Sequence, residues 1–295
     1  MNQSEVSVII VSYNFEKWMD ICLGSVRKSS IPCTTVVIDN LSQDNTCQKI
    51  TQLFPEVILI RNNENAGFGK ANNIGINYAI KNGYKYIFLL NQDAWVAPDA
   101  IEKLVVTAKN NPKMGIISPV HLNGKGDAPD KGFADYTGLK NLEDIFSLKE
   151  EIKPVKFVNA AMWLIPTNVL IETGGFDPIF RHYGEDVNLA QRIRKKRYNI
   201  GIVTDAIGYH GRETRQVNRE QFFYSEYVYF LTEAANPFYN SSRAFAFSVA
   251  AAIKKAFQKM VEWEMEDAKK YFIISKKLYT EWNAANASRK KHSAS

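Results

Sequence analysis

Between Val6 and Ile117 the apolar residues come in two alternating textures: short β-branched runs, and longer stretches whose apolar positions recur three and four apart. Val6 to Val11, Thr34 to Ile38, Val57 to Ile60 and Tyr86 to Leu90 predict strands. Trp18 to Val26, Ser42 to Phe54 and Ala71 to Ile80 predict helices. Ser42 is the expected N-cap of the second helix, and Asp44 lies in its first turn, facing the positive end of the dipole. Strands and helices in this alternation predict an α/β fold with a mostly parallel central sheet flanked by helices.

After Pro119 the texture changes, and His121 to Gly138 reads as a Gly- and Asp-containing loop. Regular structure is expected to resume near Val155. Phe157 to Ile165 is strand material interrupted at Asn159, Glu185 to Lys196 has helical spacing, and Asn199 to Val203 is a further strand. Beyond His210 the chain is aromatic-rich and helical, with Ile253, Phe257 and Met260 on one helix face and lysines on the rest. The expected division is a sheet domain over residues 1–212 and a C-terminal helical extension over 213–295.

Composition narrows the function classes. The chain has 295 residues, 45% of them hydrophobic, enough for one large core plus appended helices. A net charge of +6 suits an acidic ligand. The basic stretch from Arg192 to Arg197 and the C-terminal lysines read as solvated helix faces, because their aromatic neighbours lack the platform spacing of a nucleic-acid binder. Cys22, Cys33 and Cys47 form no C-x-x-C pair and read as the reduced thiols of a cytosolic protein. Met1 to Glu5 is polar and unlike a signal peptide, and Ala244 to Ile253 is too short to span a bilayer, so a cytoplasmic placement is expected.

Candidate chemistry gathers at the predicted strand ends, where open α/β sheets bind ligands. Asn91-Gln92-Asp93 follows the strand Tyr86 to Leu90 and offers Asp93 to a divalent cation, magnesium or manganese. Tyr13 and Asn14 follow the first strand, where a ring could stack on a base. Asp39 and Asn40 end the second, where a carboxylate could accept from a base imide or a ribose hydroxyl. Gly67 and Gly69 permit close backbone approach, and Lys70 could meet a phosphate, although the loop is neither a dinucleotide fingerprint nor a P-loop. Glu185 and Asp186 open a helix where a base could face a substrate, and His210 is a candidate second metal ligand. Each has an ordinary alternative: an aromatic lid or Asx-turn, a helix-start turn, a dipole complement, a structural histidine.

The order of these motifs is more specific than any one of them. Val8-Ile9-Ile10-Val11-Ser12-Tyr13-Asn14, Asp39-Asn40-x-Ser42-x-Asp44, Asn65-x-Gly67-Phe68-Gly69, Leu90-Asn91-Gln92-Asp93, Gly174-Gly175-Phe176-Asp177 and Gly184-Glu185-Asp186 together resemble the family 2 inverting glycosyltransferases of the GT-A fold, especially rhamnosyltransferase-like members. The resemblance runs from about Ser4 to His210.

It implies an enzyme moving a sugar from a nucleotide-diphosphate donor to a glycan or lipid-linked acceptor hydroxyl. By that likeness Tyr13, Asp39 and Asn40 hold the nucleoside, Asn91 and Asp93 stand in the D-x-D position for metal and diphosphate, and His210 completes the metal site. Asp186 is the general base with Glu185 beside it. Two departures stand out: Asn91 replaces the first acid of D-x-D, and Asn188 stands where many relatives carry a second Asp. They leave open a catalytically degenerate binding protein. Asn159, Trp163, His182 and Tyr183 are candidates for the acceptor side, Trp163 having core packing as its stronger alternative. The C-terminal lysines and apolar stripe suit either contact with an anionic membrane leaflet or packing on the domain or a second subunit.

Overall fold

The structure, a computed structural model, is described over residues 4–212 and 218–293. The chain begins β1 (Val6–Ser12), α1 (Met19–Arg27), β2 (Cys33–Asp39), α2 (Thr46–Leu53), β3 (Ile58–Arg61), α3 (Phe68–Lys81) and β4 (Tyr86–Leu90). It continues through β5 (Ala94–Val96), α4 (Ala100–Asn110), β6 (Met114–Asn123), α5 (Lys131–Thr137), α6 (Leu142–Phe146), β7 (Ile152–Val155), β8 (Met162–Pro166), α7 (Thr167–Thr173), α8 (Glu185–Lys195) and β9 (Asn199–His210). Four helices follow: α9 (Arg219–Ala234), α10 (Ser241–Val261), α11 (Met265–Thr280) and α12 (Trp282–Ser293). The expected domain boundary falls at residues 213–217, which lie outside the described residues.

The sheet order is β3-β2-β1-β4-β8-β6-β9-β5, with β7 paired to β9. Its long ladders, β1 with β2 and β6 with β9, are parallel, while β8 is antiparallel to both neighbours and β5 and β7 are antiparallel to β9. Alternate side chains of one strand serve two cores: Ile9 lies in one with Val36, Leu89 and Ile76, and Val8 and Ile10 lie in the other with Val37, Leu23 and Leu104. Cover on both faces is why the strands read as nearly unbroken apolar runs. Trp163 is fully buried in the first core, so its role is packing.

Three local expectations are corrected. α2 starts at Thr46, because the Ser42 N–H and hydroxyl both go to Asp39 while Asp44 accepts from the N–H and hydroxyl of Thr46. The expected loop from His121 to Gly138 is largely ordered: β6 runs on to Asn123, and α5 is capped by Asp130, which accepts from the Phe133 N–H at 3.0 Å. β9 continues past Val203 to His210, because its second half pairs with this extended β6 and with β5. Those ladders join residues too far apart in sequence for local pattern to reveal.

A third core joins Phe180 to α9, α10 and α11, so the C-terminal helices rest on the segment ahead of α8. The buried face of α10 is Ala244, Ser248, Ala252 and Ala256. Of the apolar stripe, Ile253 is half-buried, while Phe257 is 55% exposed and Met260 37%.

Candidate active site

The loops after β1 and β4 leave the same sheet edge and are stitched together. The Tyr13 N–H donates to Gln92 Oε1 at 2.8 Å, and Gln92 Nε2 donates back to the Tyr13 carbonyl at 3.2 Å. The Tyr13 ring stays 43% exposed, open to a stacking partner. Asn14 adopts left-handed backbone, donates its N–H to Ser42 Oγ at 2.9 Å and accepts from the Gln43 N–H at 2.9 Å. Asp39 is buried, and its oxygens take the Ser12 hydroxyl at 3.0 Å, the Ser42 N–H at 3.0 Å and the Ser42 hydroxyl. Asn40 closes the next loop, donating to the Gly67 carbonyl at 3.3 Å and accepting from Asn62 Nδ2 and the Ala66 N–H.

Gly67 and Gly69 do permit close approach, but to the chain itself. A Cβ on Gly67, whose φ is +80°, would lie 2.5 Å from the Arg181 carbonyl oxygen, and one on Gly69 would lie 3.5 Å from the Glu185 Cβ. These two positions hold α3 against the segment that delivers Glu185 and Asp186. Lys70 is exposed on the first turn of α3.

Asp93 and His210 meet because β5 and β9 are antiparallel with Ala94 opposite His210. Asp93 Oδ1 is 3.3 Å from His210 Nε2, and the Gly211 N–H donates to the Asp93 carbonyl at 2.8 Å. Burial opposes the Asp93 charge, yet the hydrogen bond and charge of His210 outweigh it and hold the carboxyl below its ordinary value. Asp130 stands behind the histidine, Oδ2 lying 3.7 Å from His210 Nδ1, and forms a two-pronged pair with Arg212 at 2.8 and 2.6 Å.

No group of three or more His, Cys, Asp or Glu side chains forms a metal site among the described residues. The residues nevertheless fit a divalent cation that takes its remaining ligands from donor phosphates and water. Asp93 and His210 offer two ligand atoms, a carboxylate stands behind the histidine, and the Asn91 Oδ1 nearby is buried without a hydrogen-bond partner.

A cavity of about 380 Å³ opens beside this pair, its wall carrying Asn91, Tyr136, Asn159, Glu185, Asp186 and Arg212. Gly184, at φ +79°, turns the chain into α8, so the first-turn acids Glu185 and Asp186 reach the cavity. Burial and then the Asp186 charge push the Glu185 carboxyl well above its ordinary range, and its Oε2 is buried without a partner. Burial also raises Asp186, against hydrogen bonds from the Val187 and Ala160 N–H groups and the Arg212 charge. Adjacent carboxyls titrate as a pair, and both lean toward retaining a proton.

The structure thus brings Asn91, Glu185 and Asp186 to one cavity, with Asp93 and His210 adjoining it. Asp39 and Asn40 are absent from that wall and brace the rim loops two and three strands along. Asn159, His182 and Tyr183 border the cavity. Asn188 does not: it is buried inside α8, accepting from Arg192 Nε at 2.9 Å. Tyr136, Asp130 and Arg212 went unmarked in the sequence. Arg212 could have been found from its place two residues after His210, whereas its pairing with Asp130 spans 82 positions.

Comparison with known proteins follows the same outline. The chain is 27% identical over 252 residues, 83% of its length, to the low-salt glycan biosynthesis hexosyltransferase Agl10 of Haloferax volcanii, covering 78% of that protein. It is 23% identical over 221 residues to an N-acetylglucosaminyl-diphospho-decaprenol L-rhamnosyltransferase of Mycobacterium tuberculosis, with 64% and 70% of the two chains covered. S. aureus TarS 1–349 in complex with UDP superposes with a TM-score of 0.57 at 15% identity, over 97% of this chain and 88% of the other. GalNAc-T7 with UDP, GalNAc and Mn2+ superposes at 0.58 and 18% identity, over 80% and 51%. These two share the mixed α/β fold, which is of GT-A type. The model of the glycosyl transferase family 2 matches residues 7–165, more than half the chain, and the protein belongs to that family.

Proposed function

We propose that this transferase is an inverting enzyme that moves a hexosyl or deoxyhexosyl group from a nucleotide-diphosphate donor to an acceptor hydroxyl in surface polysaccharide or glycan synthesis. One observation carries the reading: Asp186, Asn91 and Arg212 line a single cavity, and the 3.3 Å pair Asp93–His210 adjoins it, each member two residues from Asn91 or Arg212. Names of the relatives support a hexosyl or rhamnosyl donor, and the nucleotide complexes of the structural neighbours support a nucleotide sugar.

In this reading Asp186 accepts the acceptor's hydroxyl proton as that oxygen attacks the anomeric carbon, and the bond to the diphosphate breaks in the same displacement, inverting the centre. Glu185, holding its proton, places no second negative charge beside the base. Arg212 brings a positive charge to the wall. A divalent cation held by Asp93 and His210 would neutralise charge on the departing diphosphate. Tyr13 offers its ring to the base, Asp39, Asn14 and Asn40 fix the rim that receives the nucleoside, and Gly67 and Lys70 border it. Residues 1–212 form the catalytic unit, and the following helices brace it. The exposed part of the apolar stripe of α10 fits a lipid-linked acceptor reached at the cytoplasmic face of a membrane.

Asn91 in place of an acid favours a second reading, a binding protein with a degenerate transferase site. The deciding experiment screens uridine, thymidine and guanosine sugar nucleotides with magnesium or manganese, with and without chelator. Chelator-sensitive release of nucleoside diphosphate is the expected outcome. Donor binding with no release under any condition selects the second reading.

A further inference from the structure

Asp93 and His210 meet at a thinly held end of the sheet. β5, which follows Asp93, is only three residues long and comes last in the sheet order, paired with β9. Ala94 and Val96 are buried in the second core, and strand alternation sends the Trp95 side chain to the opposite face. There its ring is the middle member of a stack. Trp18, at the start of α1, lies 6.2 Å from it between ring centroids at an interplanar angle of 24°, and Tyr209, its cross-strand partner, lies 5.7 Å from it at 13°. The Lys17 ammonium sits 4.3 Å from the centroid of Trp18. Tyr209 packs against the first core and Trp18 against the second, so the stack spans both.

Gly211 connects the stack to the Asp93–His210 pair. A Cβ there would lie 2.5 Å from Trp18 Cη2 and 2.6 Å from Cζ3, so the Gly211 backbone rests against the far ring of the indole. The Gly211 backbone is not left-handed, and room beside the ring is what calls for glycine. Gly211 is also joined to both members of the pair: its nitrogen forms the peptide bond with His210, and its N–H donates to the Asp93 carbonyl at 2.8 Å. An indole held by stacking on Trp95 cannot swing aside as the end of a lysine would.

We propose that Trp18 is a positioning residue for the cation site: through Gly211, and through the stack with Trp95 and Tyr209, its ring fixes the 3.3 Å spacing of Asp93 and His210. The proposal rests on the reading of that pair as cation ligands. Removing an outer support of a metal ligand typically weakens metal binding by about ten- to a hundredfold.

The test is Mn2+ binding to the full chain, followed by the relaxation rate of water protons, which requires neither donor nor transfer. Five proteins are compared, each checked for folding by melting temperature: wild type, Asp93→Asn, Trp18→Leu, Gly211→Ala, and Gly211→Ala with Trp18→Phe. Phenylalanine keeps a ring for Trp95 and lacks the two atoms that crowd Gly211. The expected result is saturable binding by wild type and binding weakened about tenfold or more in each single variant. The double variant is expected to return to within about threefold of wild type, a recovery that general loss of stability would not produce. Wild-type affinity in Asp93→Asn, or no saturable binding by wild type, overturns the reading of the pair and the proposal with it. Weakening in Asp93→Asn alone leaves that reading standing and overturns the role of Trp18, as does a double variant no better than Gly211→Ala. If Trp18→Leu does not fold, the two Gly211 variants decide.

Discussion

The sheet region and the C-terminal helices differ most in how they bury side chains at α10. In the sheet, large side chains such as Phe88, Ile9 and Trp163 are inside. In α10 the alanines are inside, while Phe247, Phe257 and Val261 are 61, 55 and 80% exposed, and Trp263 beyond it is 89% exposed. α10 packs through small residues and leaves large apolar groups exposed, whereas α9 and α11 bury Phe223, Phe230, Tyr271 and Leu278 in the third core that meets Phe180.

Substitutions can break this contrast, starting with the joint between the two regions. Gly184 combines a φ of +79° with a Cβ position 2.6 Å from both Thr232 Oγ1 and Val228 Cγ1 of α9. Gly184→Ala should therefore cost on the order of 3 kcal/mol in denaturant unfolding, and a loss below about 1 kcal/mol would show that α9 does not brace the turn. Ala252→Leu, inside the α10 face, should destabilise by about 1–3 kcal/mol.

A pH series sharpens the electrostatic half of the contrast. Glu185 has a folded-state pKa raised above its ordinary 4.5, so its neutral form stabilises the fold at low pH and that contribution is lost as pH rises toward the folded value. Glu185→Gln should match wild type below pH 4 to 5 and then gain on it by at most about 1.4 kcal/mol per pH unit across that window. Parallel stability curves for the two proteins would remove the buried, protonated Glu185 from the account. The smallest stability effect is expected at Phe257: a serine there should change unfolding free energy by less than about 0.5 kcal/mol while reducing flotation with anionic liposomes. Unchanged flotation would leave the exposed part of the stripe without its membrane role.

What could be read beforehand follows the same division. β4 and the Asn91–Asp93 turn were legible because an apolar run ending in a carboxylate is a local signal, and the order of β1 to β4 carried the fold. The far side of the cavity was not. Asp130 and Arg212 acquire meaning only once β6 and β9 extend beside each other, and Ser42 looked like a helix cap until the Asp39 carboxylate claimed it. The buried face of α10 was not legible for a physical reason: a helix moment is dominated by its largest apolar side chains, whereas close helix packing selects small ones.

The central claim is that Asp186 is the base of a donor site organised by Asp93 and His210, and donor affinity and turnover measured together on one folded variant test it. Asp186→Asn is predicted to bind the nucleotide sugar as wild type does and to transfer it roughly a hundredfold to ten-thousandfold more slowly. Near-normal transfer by that variant would contradict the assignment.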